Sequence, residues 1–199
     1  RQLEAAGIEV VTHYLKEECD SLNDVFFHYI TTKTPYVVMK YAMTLDGKTA
    51  CHTGASKWVT GERARENVQE MRNKYTGIMV GVRTVITDDP QLTCRIPGGR
   101  NPVRIICDSR LRTPLNSRIV ATADQVPTII ATVCKDTEKI QQYLDKNVRV
   151  IVTAQKDGRV DLKDLMQKLG EQKIDSILLE GGGTLNYSAL QAGIVQHVK

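Results

Sequence analysis

Four stretches of this chain carry residue types and spacings that can do chemistry. In "LLEGGGTLNYSAL" an apolar run ends at Glu180, three glycines follow, and Thr184 opens a helical pattern. Glycines let a backbone approach a ligand closely, and the free N–H groups at a helix start suit phosphate. The alternative is a plain strand-to-helix turn, and the spacing is not G-x-G-x-x-G. Glu180 falls where open α/β sheets hold ligands, and is otherwise a solvated carboxylate.

The second stretch is "VMKYAMTLDGKTACHTGASKWVTGERAR", from Val38 to Arg65. Lys40 interrupts an apolar strand, so its amine must snorkel, pair or face a cavity, unless the strand is an edge. Asp46-Gly47 reads as a tight turn. Trp58, the one tryptophan, is either core or ligand wall, and Ser56 is either a turn cap or a binding hydroxyl. In "VGVRTVITDDPQLTCR" a strand breaks at Gly81, and Thr84, Asp88, Asp89-Pro90 and Arg95 crowd a long loop. The paired acids start a turn more readily than they hold a metal. Arg72 and Arg95 would form a bidentate phosphate clamp if they converged, and are otherwise surface arginines. In "VRIICDSRLRTP", Ser109, Arg110 and Arg112 directly follow a strand, a pattern that suits the 2′-phosphate of a nucleotide or a solvated turn.

These groups must be held by a scaffold. The 199 residues are 41% hydrophobic and 25% charged, enough for one soluble core. Aromatics at 5% and a net charge of +4 without a basic block argue against a nucleic-acid face. Five cysteines without a C-x-x-C pair read as free thiols in a reducing, cytoplasmic setting. No zinc-ligand spacing and no apolar run of ~18 residues occur, so neither a metal site nor a membrane span is expected.

From Pro35 onward, "YVVMKYAM", "GIMVGV", "VRIICDS", "PTIIATV", "VRVIVTA" and "SILLEGG" read as buried strands bounded by turn residues. "GERARENVQEMRNKY", "DTEKIQQYLDKN", "DLKDLMQKLGEQ" and "TLNYSALQAG" alternate with them as helices. The first is expected to be capped by Thr60 with Ala64, Val68 and Met71 inward, and the last is closed by Gly193. The expected fold is α/β around a mainly parallel sheet. Residues 1–33 differ: "DSLNDVFFHYI" reads as an amphipathic helix with Leu22, Val25, Phe26 and Tyr29 on one side, a connecting arm before Thr34-Pro35. The closing "IVQHVK" begins a further strand, so truncation at the C-terminus is expected, and the start without Met suggests a fragment.

Taken in order, "MTLDGK", "TGASKWVTG…AR", "VGVRTVITDDPQLTCR", "VRIICDS" and "LLEGGGTL" resemble the reductase domain of the bifunctional deaminase/reductase of riboflavin biosynthesis, collinear over residues 34–199. The resemblance implies a dihydrofolate-reductase-like fold and NADPH-dependent reduction of the ribose of 5-amino-6-(5-phosphoribosylamino)uracil by hydride transfer to C1′. It puts Ala42, Trp58, Thr84 and Asp88 beside the nicotinamide nucleotide and Ser109 by the adenosine. Gly182, Gly183, Thr184 and Leu185 fall at the pyrophosphate. Ser56, Arg72, Leu92, Arg95 and Glu180 fall on the substrate side. Lys40 and Glu180, with Asp46 behind them, are the expected proton-handling groups.

Residues 1–33 resemble the segment that joins an N-terminal deaminase domain to the reductase. A phosphoribosylaminopyrimidine substrate, that deaminase domain and a second copy of the chain are the expected partners, with no nucleic acid and no membrane. The deaminase zinc signature, H-x-E with P-C-x-x-C, is absent, so no deamination is expected of this chain. Arg83 stands where the family often has a small glycine. The rival readings are a same-fold reductase acting on the undeaminated diaminopyrimidinone or a pterin, and a non-enzymatic nucleotide-sensing or nucleic-acid-binding module.

Overall fold

The computed structural model describes residues 1–53 and 59–199. Three short helices come first: α1 (Gln2–Ala5), α2 (Lys16–Leu22) and α3 (Asp24–Thr32). Strand β1 (Tyr36–Met39), helix α4 (Glu62–Lys74), β2 (Gly77–Gly81), α5 (Val82–Asp88) and β3 (Val103–Cys107) follow. Then come α6 (Arg118–Ala121), β4 (Thr128–Thr132), α7 (Thr137–Leu144), β5 (Arg149–Val152) and the two-residue strands β6 (Gln155–Lys156) and β7 (Arg159–Val160). The chain continues with α8 (Leu162–Glu171), β8 (Ser176–Gly181), α9 (Gly183–Gln191) and β9 (His197–Val198).

Seven strands form one sheet in the order β5-β4-β3-β2-β8-β1-β9, and all its pairings are parallel. Such strands are buried on both faces, which is why they read as unbroken apolar runs: Ile105, Ile106, Ile129 and Ile130 have no exposure. Alternate side chains feed opposite layers. Met79, Ile105, Ile177 and Leu179 pack with Leu165, Leu169, Leu185 and Ala189 of α8 and α9. On the other face, Ile78, Val80 and Ile106 pack with Val82, Val85, Ile119 and Tyr143 of α5, α6 and α7. On that face too, Val38 and Leu178 pack with Met71 and Tyr75, at and just beyond the end of α4.

Four local expectations are corrected. Strand β1 stops at Met39, so Lys40 lies one residue beyond it rather than inside it. Residues 82–88 are helix, not loop, and they carry Thr84 and Asp88 one turn apart. The β-branched sequence "VRTVIT" disfavours a helix locally, but burial of Val82 and Val85 outweighs that weak preference. Helix α4 is capped by Gly61 without a side-chain bond, and Ala64 faces solvent while Met71 is buried. The arm breaks at Asn23 into two helices. It meets the body through Val25, His28 and Tyr29, whereas Leu22 and Phe26 point outward. Tyr29 donates to the Gly170 carbonyl (2.9 Å), and the His28 ring stands edge-on to Tyr36.

Gly170 makes that docking possible: a Cβ there would lie 1.9 Å from the Lys33 carbonyl oxygen. Among the described residues no helix is long and apolar enough to cross a membrane.

Candidate functional site

The strand order fixes where a ligand can bind. From β2 the chain steps outward through β3, β4 and β5, then returns to place β8 between β2 and β1. Helix α5 leaves β2 toward one face and α9 leaves β8 toward the other, as their buried residues show. Adjacent strands whose connections diverge leave a crevice at their carboxyl ends. A cleft of about 640 Å³ occupies that place, between the ends of β2, β3 and β8.

The end of β8 is shaped to open it. The register between β2 and β8 shifts after Met79, so that Val80 pairs with Gly181 and Glu180 is passed over. Such a bulge re-aims a side chain at a site. Gly181 (φ +83°) and Gly182 (φ +84°) then take the left-handed backbone that favours glycine. At Gly181 a Cβ would crowd the Asn186 amide at 3.0 Å, and at Gly182 it would crowd Thr84 Oγ1 at 3.4 Å. The first turn of α9, from Gly183, has no side-chain cap; the Leu185 and Asn186 N–H groups donate to the Gly182 carbonyl, which leaves those of Gly183 and Thr184 for a ligand.

The opposite rim is basic. Ser109, Arg110 and Arg112 line it, with Arg83 at the start of α5 and Arg159 on β7. The buried carboxylate of Asp108 organises the first group. It accepts from the backbone N–H of Arg110 (3.3 Å), Arg112 (2.5 Å) and Thr113 (2.7 Å) and from the Thr113 hydroxyl (2.8 Å). The β6–β7 hairpin turns at Asp157 and Gly158, both with positive φ. Its Val160 N–H donates to Ser109 Oγ (3.1 Å), which draws Arg159 to the rim. Arg159 was not anticipated, although the Asp-Gly pair flanked by polar and apolar residues was a legible hairpin signal. Cys107 lines the floor, and burial, then the Asp108 charge, push its thiol up to about 12.

Beside the cleft, on the α4 face, lies a polar cluster. Arg72 forks onto Glu180, Nε to Oε1 and Nη2 to Oε2, both at 2.8 Å, and Nη1 donates to the Thr93 carbonyl (3.1 Å). The two side chains are only 13% and 12% exposed. Burial lowers the proton affinity of Arg72, but the hydrogen bond and charge of Glu180 more than offset it and leave the guanidinium above its ordinary value. Lys40 stands next to Glu180: its N–H donates to the Leu179 carbonyl (2.9 Å), one step past the Met39–Leu179 pairing. Its half-buried side chain has no hydrogen-bond or ion-pair partner among the described residues.

Of the residues singled out in the sequence, Thr84, Ser109 and Gly182 to Leu185 line the cleft. Arg72 and Glu180 form the cluster beside it, and the Lys40 backbone lies next to them at the end of β8. Asp88 is exposed one turn beyond Thr84, and Ala42 is half-buried just past Lys40. Asp46 stands apart in an exposed turn closed by Thr44 and Lys48, whose hydrogen bonds hold its carboxyl below the usual range. The side chain of Leu92 is in the core at 3% exposure, so any contact it makes with a ligand runs through its backbone. Arg95 is exposed, with its N–H on Gln69 Oε1 (2.9 Å). Arg72, on α4, holds the Thr93 carbonyl of the loop that carries Arg95, but its fork is spent on Glu180. Ser56 and Trp58 lie outside the described residues.

Sheet order, the switch-point cleft and the glycine turn define a doubly wound α/β domain whose ligand cleft lies at the strand ends. The chain belongs to the RibD C-terminal domain family, whose model matches residues 35–199. It is 58% identical over 197 residues to the riboflavin biosynthesis protein RibD of Actinobacillus pleuropneumoniae, covering 99% of this chain and 52% of that protein. It is 42% identical over 168 residues to the 2,5-diamino-6-ribosylamino-4(3H)-pyrimidinone 5′-phosphate reductase of Methanothermobacter thermautotrophicus, covering 83% of this chain and 76% of that protein.

Among solved structures, a Thermotoga maritima diaminohydroxyphosphoribosylaminopyrimidine deaminase/5-amino-6-(5-phosphoribosylamino)uracil reductase superposes with a TM-score of 0.81 at 37% identity. That match covers 96% of this chain and 51% of that one. The chain thus spans about half the length of the first of these relatives. The fold is dihydrofolate-reductase-like, as the sequence resemblance implied.

Proposed function

We propose that this chain is an oxidoreductase domain of riboflavin biosynthesis that opens the ribose of 5-amino-6-(5-phosphoribosylamino)uracil to the ribityl chain. When bound, NADPH supplies the hydride that reaches C1′. One observation carries the reading: the bulge at the end of β8 sends Glu180 to a polar cluster on one side and opens the glycine-lined cleft on the other. The donor set suits a phosphorylated dinucleotide. Gly182 and Gly183 leave space at an uncapped helix start, where the Gly183 and Thr184 amides would hold the pyrophosphate. Ser109, Arg110, Arg112 and Arg159 would hold a 2′-phosphate and so favour NADPH over NADH.

On the substrate side, both Glu180 oxygens are bound by Arg72, so the pair acts as a fixed dipole that orients the sugar. Lys40, whose side chain has no partner among the described residues, is the group that would deliver a proton to the ring oxygen as C1′ is reduced. Arg95 would grip the 5′-phosphate. Residues 1–33 are the arm that joins a preceding deaminase domain, and residues 34–199 are the reductase unit.

The test is oxidation of NADPH followed by absorbance with the deaminated and the undeaminated pyrimidine. Turnover of the deaminated substrate supports the reading, and no turnover of either refutes it. Exclusive use of the diaminopyrimidinone would favour the second reading, for which the 42% identity to the archaeal reductase speaks. Lys40→Ala should lower kcat by about 10²-fold or more while cofactor affinity stays; full turnover would remove Lys40 from the proton step.

A further inference from the structure

Arg104, in the middle of β3, has no exposure and no ion-pair partner among the described residues. Its guanidinium is met by neutral acceptors. Nε donates to Thr128 Oγ1 (2.9 Å), Nη1 to Thr122 Oγ1 (2.9 Å) and to the Gln91 carbonyl (3.3 Å). Nη2 donates to the carbonyls of Ile119 (2.9 Å), Thr122 (3.1 Å) and Val126 (2.9 Å). Burial of this uncompensated charge lowers its proton affinity to about 10, so it stays charged at neutral pH. The β2 residue paired with it is Ile78, also fully buried. An apolar side chain would serve packing at that place at lower cost, since a buried charge without a counter-ion is expensive. Packing does not explain Arg104.

Four of its acceptor residues, Ile119, Thr122, Val126 and Thr128, tie down the α6–β4 connection, and its longest bond reaches out to Gln91. Gln91 lies between Asp89 (φ +39°) and Leu92 (φ +54°), two non-glycine residues in left-handed backbone. Strained turns persist only where their surroundings over-determine them. Three fastenings do so here: Arg104 on the Gln91 carbonyl, the Arg118 N–H on Asp89 Oδ1 (2.8 Å), and the buried Leu92 side chain. Just beyond, Arg72 holds the Thr93 carbonyl and Gln69 holds the Arg95 N–H. We infer that Arg104 is a positioning residue for substrate binding: through Gln91 it locks the strained turn that aims residues 93–95 at the Arg72–Glu180 cluster. This rests on the proposed substrate side.

The test compares wild type with Arg104→Lys, which keeps the charge and loses the fork. Amide exchange at residues 92–95 should quicken about tenfold, and KM for the phosphoribosylaminopyrimidine should rise about tenfold, the scale of a lost charged hydrogen bond. The dissociation constant for NADPH should stay within about twofold, because no cleft residue is touched. A lower melting temperature with unchanged exchange and KM would overturn the inference, as would equal losses for substrate and cofactor.

If Arg104→Lys does not fold, Thr122→Val removes one acceptor, Thr122 Oγ1, and keeps the guanidinium. It should move exchange and KM in the same direction by less, Thr122→Ser should restore both, and no movement would overturn the inference. Should wild type turn over neither pyrimidine, the functional reading fails, while the exchange comparison still decides whether Arg104 sets the loop.

Discussion

Replacing Arg72 by Met would expose how the polar cluster is built. The substitution keeps volume along the α4 face but strips both Glu180 oxygens of their donors and frees the Thr93 carbonyl. Breaking a buried pair by removing one partner costs about 3–5 kcal/mol; since both side chains retain slight exposure, the lower end, ~3 kcal/mol, is expected. For a chain of 199 residues each kcal/mol moves Tm by roughly 2–4 °C, so a fall of ~6–12 °C follows. Glu180→Gln should cost less, because a neutral amide is cheaper to bury than a lone carboxylate.

The double variant, Arg72→Met with Glu180→Gln, should then be more stable than the sum of the single losses by about 1.5–2 kcal/mol. Urea unfolding of the four proteins measures the cycle. High salt should change it little, since buried pairs are weakly screened. Additivity within ~0.5 kcal/mol would refute the claim that these side chains act as one unit.

Other outcomes follow from the geometry. Gly182→Ala, at φ +84° with Thr84 Oγ1 at 3.4 Å, should cost about 1–2 kcal/mol and weaken binding of NADPH more than of substrate; titration with each ligand checks the split. Gly170→Ala places a methyl 1.9 Å from the Lys33 oxygen, so the arm must shift; limited proteolysis near residues 33–34 should speed up, and unchanged protection would mean that the arm tolerates it. Asp164 is the anchor that bonds the Ala154 N–H (2.7 Å) and Lys168 (2.9 Å). Burial raises its pKa, but these bonds more than offset that and hold the carboxyl below its ordinary value. Its stabilising contribution is therefore complete above the ordinary carboxylate range and lost as pH falls through the lowered value. Asp164→Asn should flatten the acid limb of the stability curve, as read by acid unfolding. The Cys107 thiol, pushed up to about 12, should resist alkylation at neutral pH far longer than exposed Cys19.

Much of the architecture was legible because it depends on composition within short windows. Each run named as a buried strand contributes a strand, although β1 ends at Met39 and the edge strand β5 buries only Ile151, since parallel strands covered on both faces need only apolar residues between turns. Gly193 closes α9 with φ +66°, as expected, whereas the caps that form are Asp136 and Asp161 on α7 and α8 rather than Thr60 on α4. The glycine turn was visible for the same reason. Helix α5 was not, because its β-branched residues argue against a helix until Val82 and Val85 have a core to enter. The arm turns Leu22 and Phe26 outward, against the expected stripe, since which side of a short helix is inward depends on the surface it meets.

The site divides the same way. Residue types at Lys40, Glu180, Ser109 and the triple glycine announce chemistry, and the order of motifs carries the family resemblance. That Arg72 is spent on Glu180, that Leu92 turns into the core and that Arg159 reaches the cleft rim are matters of tertiary structure alone. The contacts behind the first and last join residues 108 and 51 positions apart, and the second depends on a backbone turn held by distant packing. A linear sequence records the capacity of a side chain to pair; only the closed sheet decides which partner arrives.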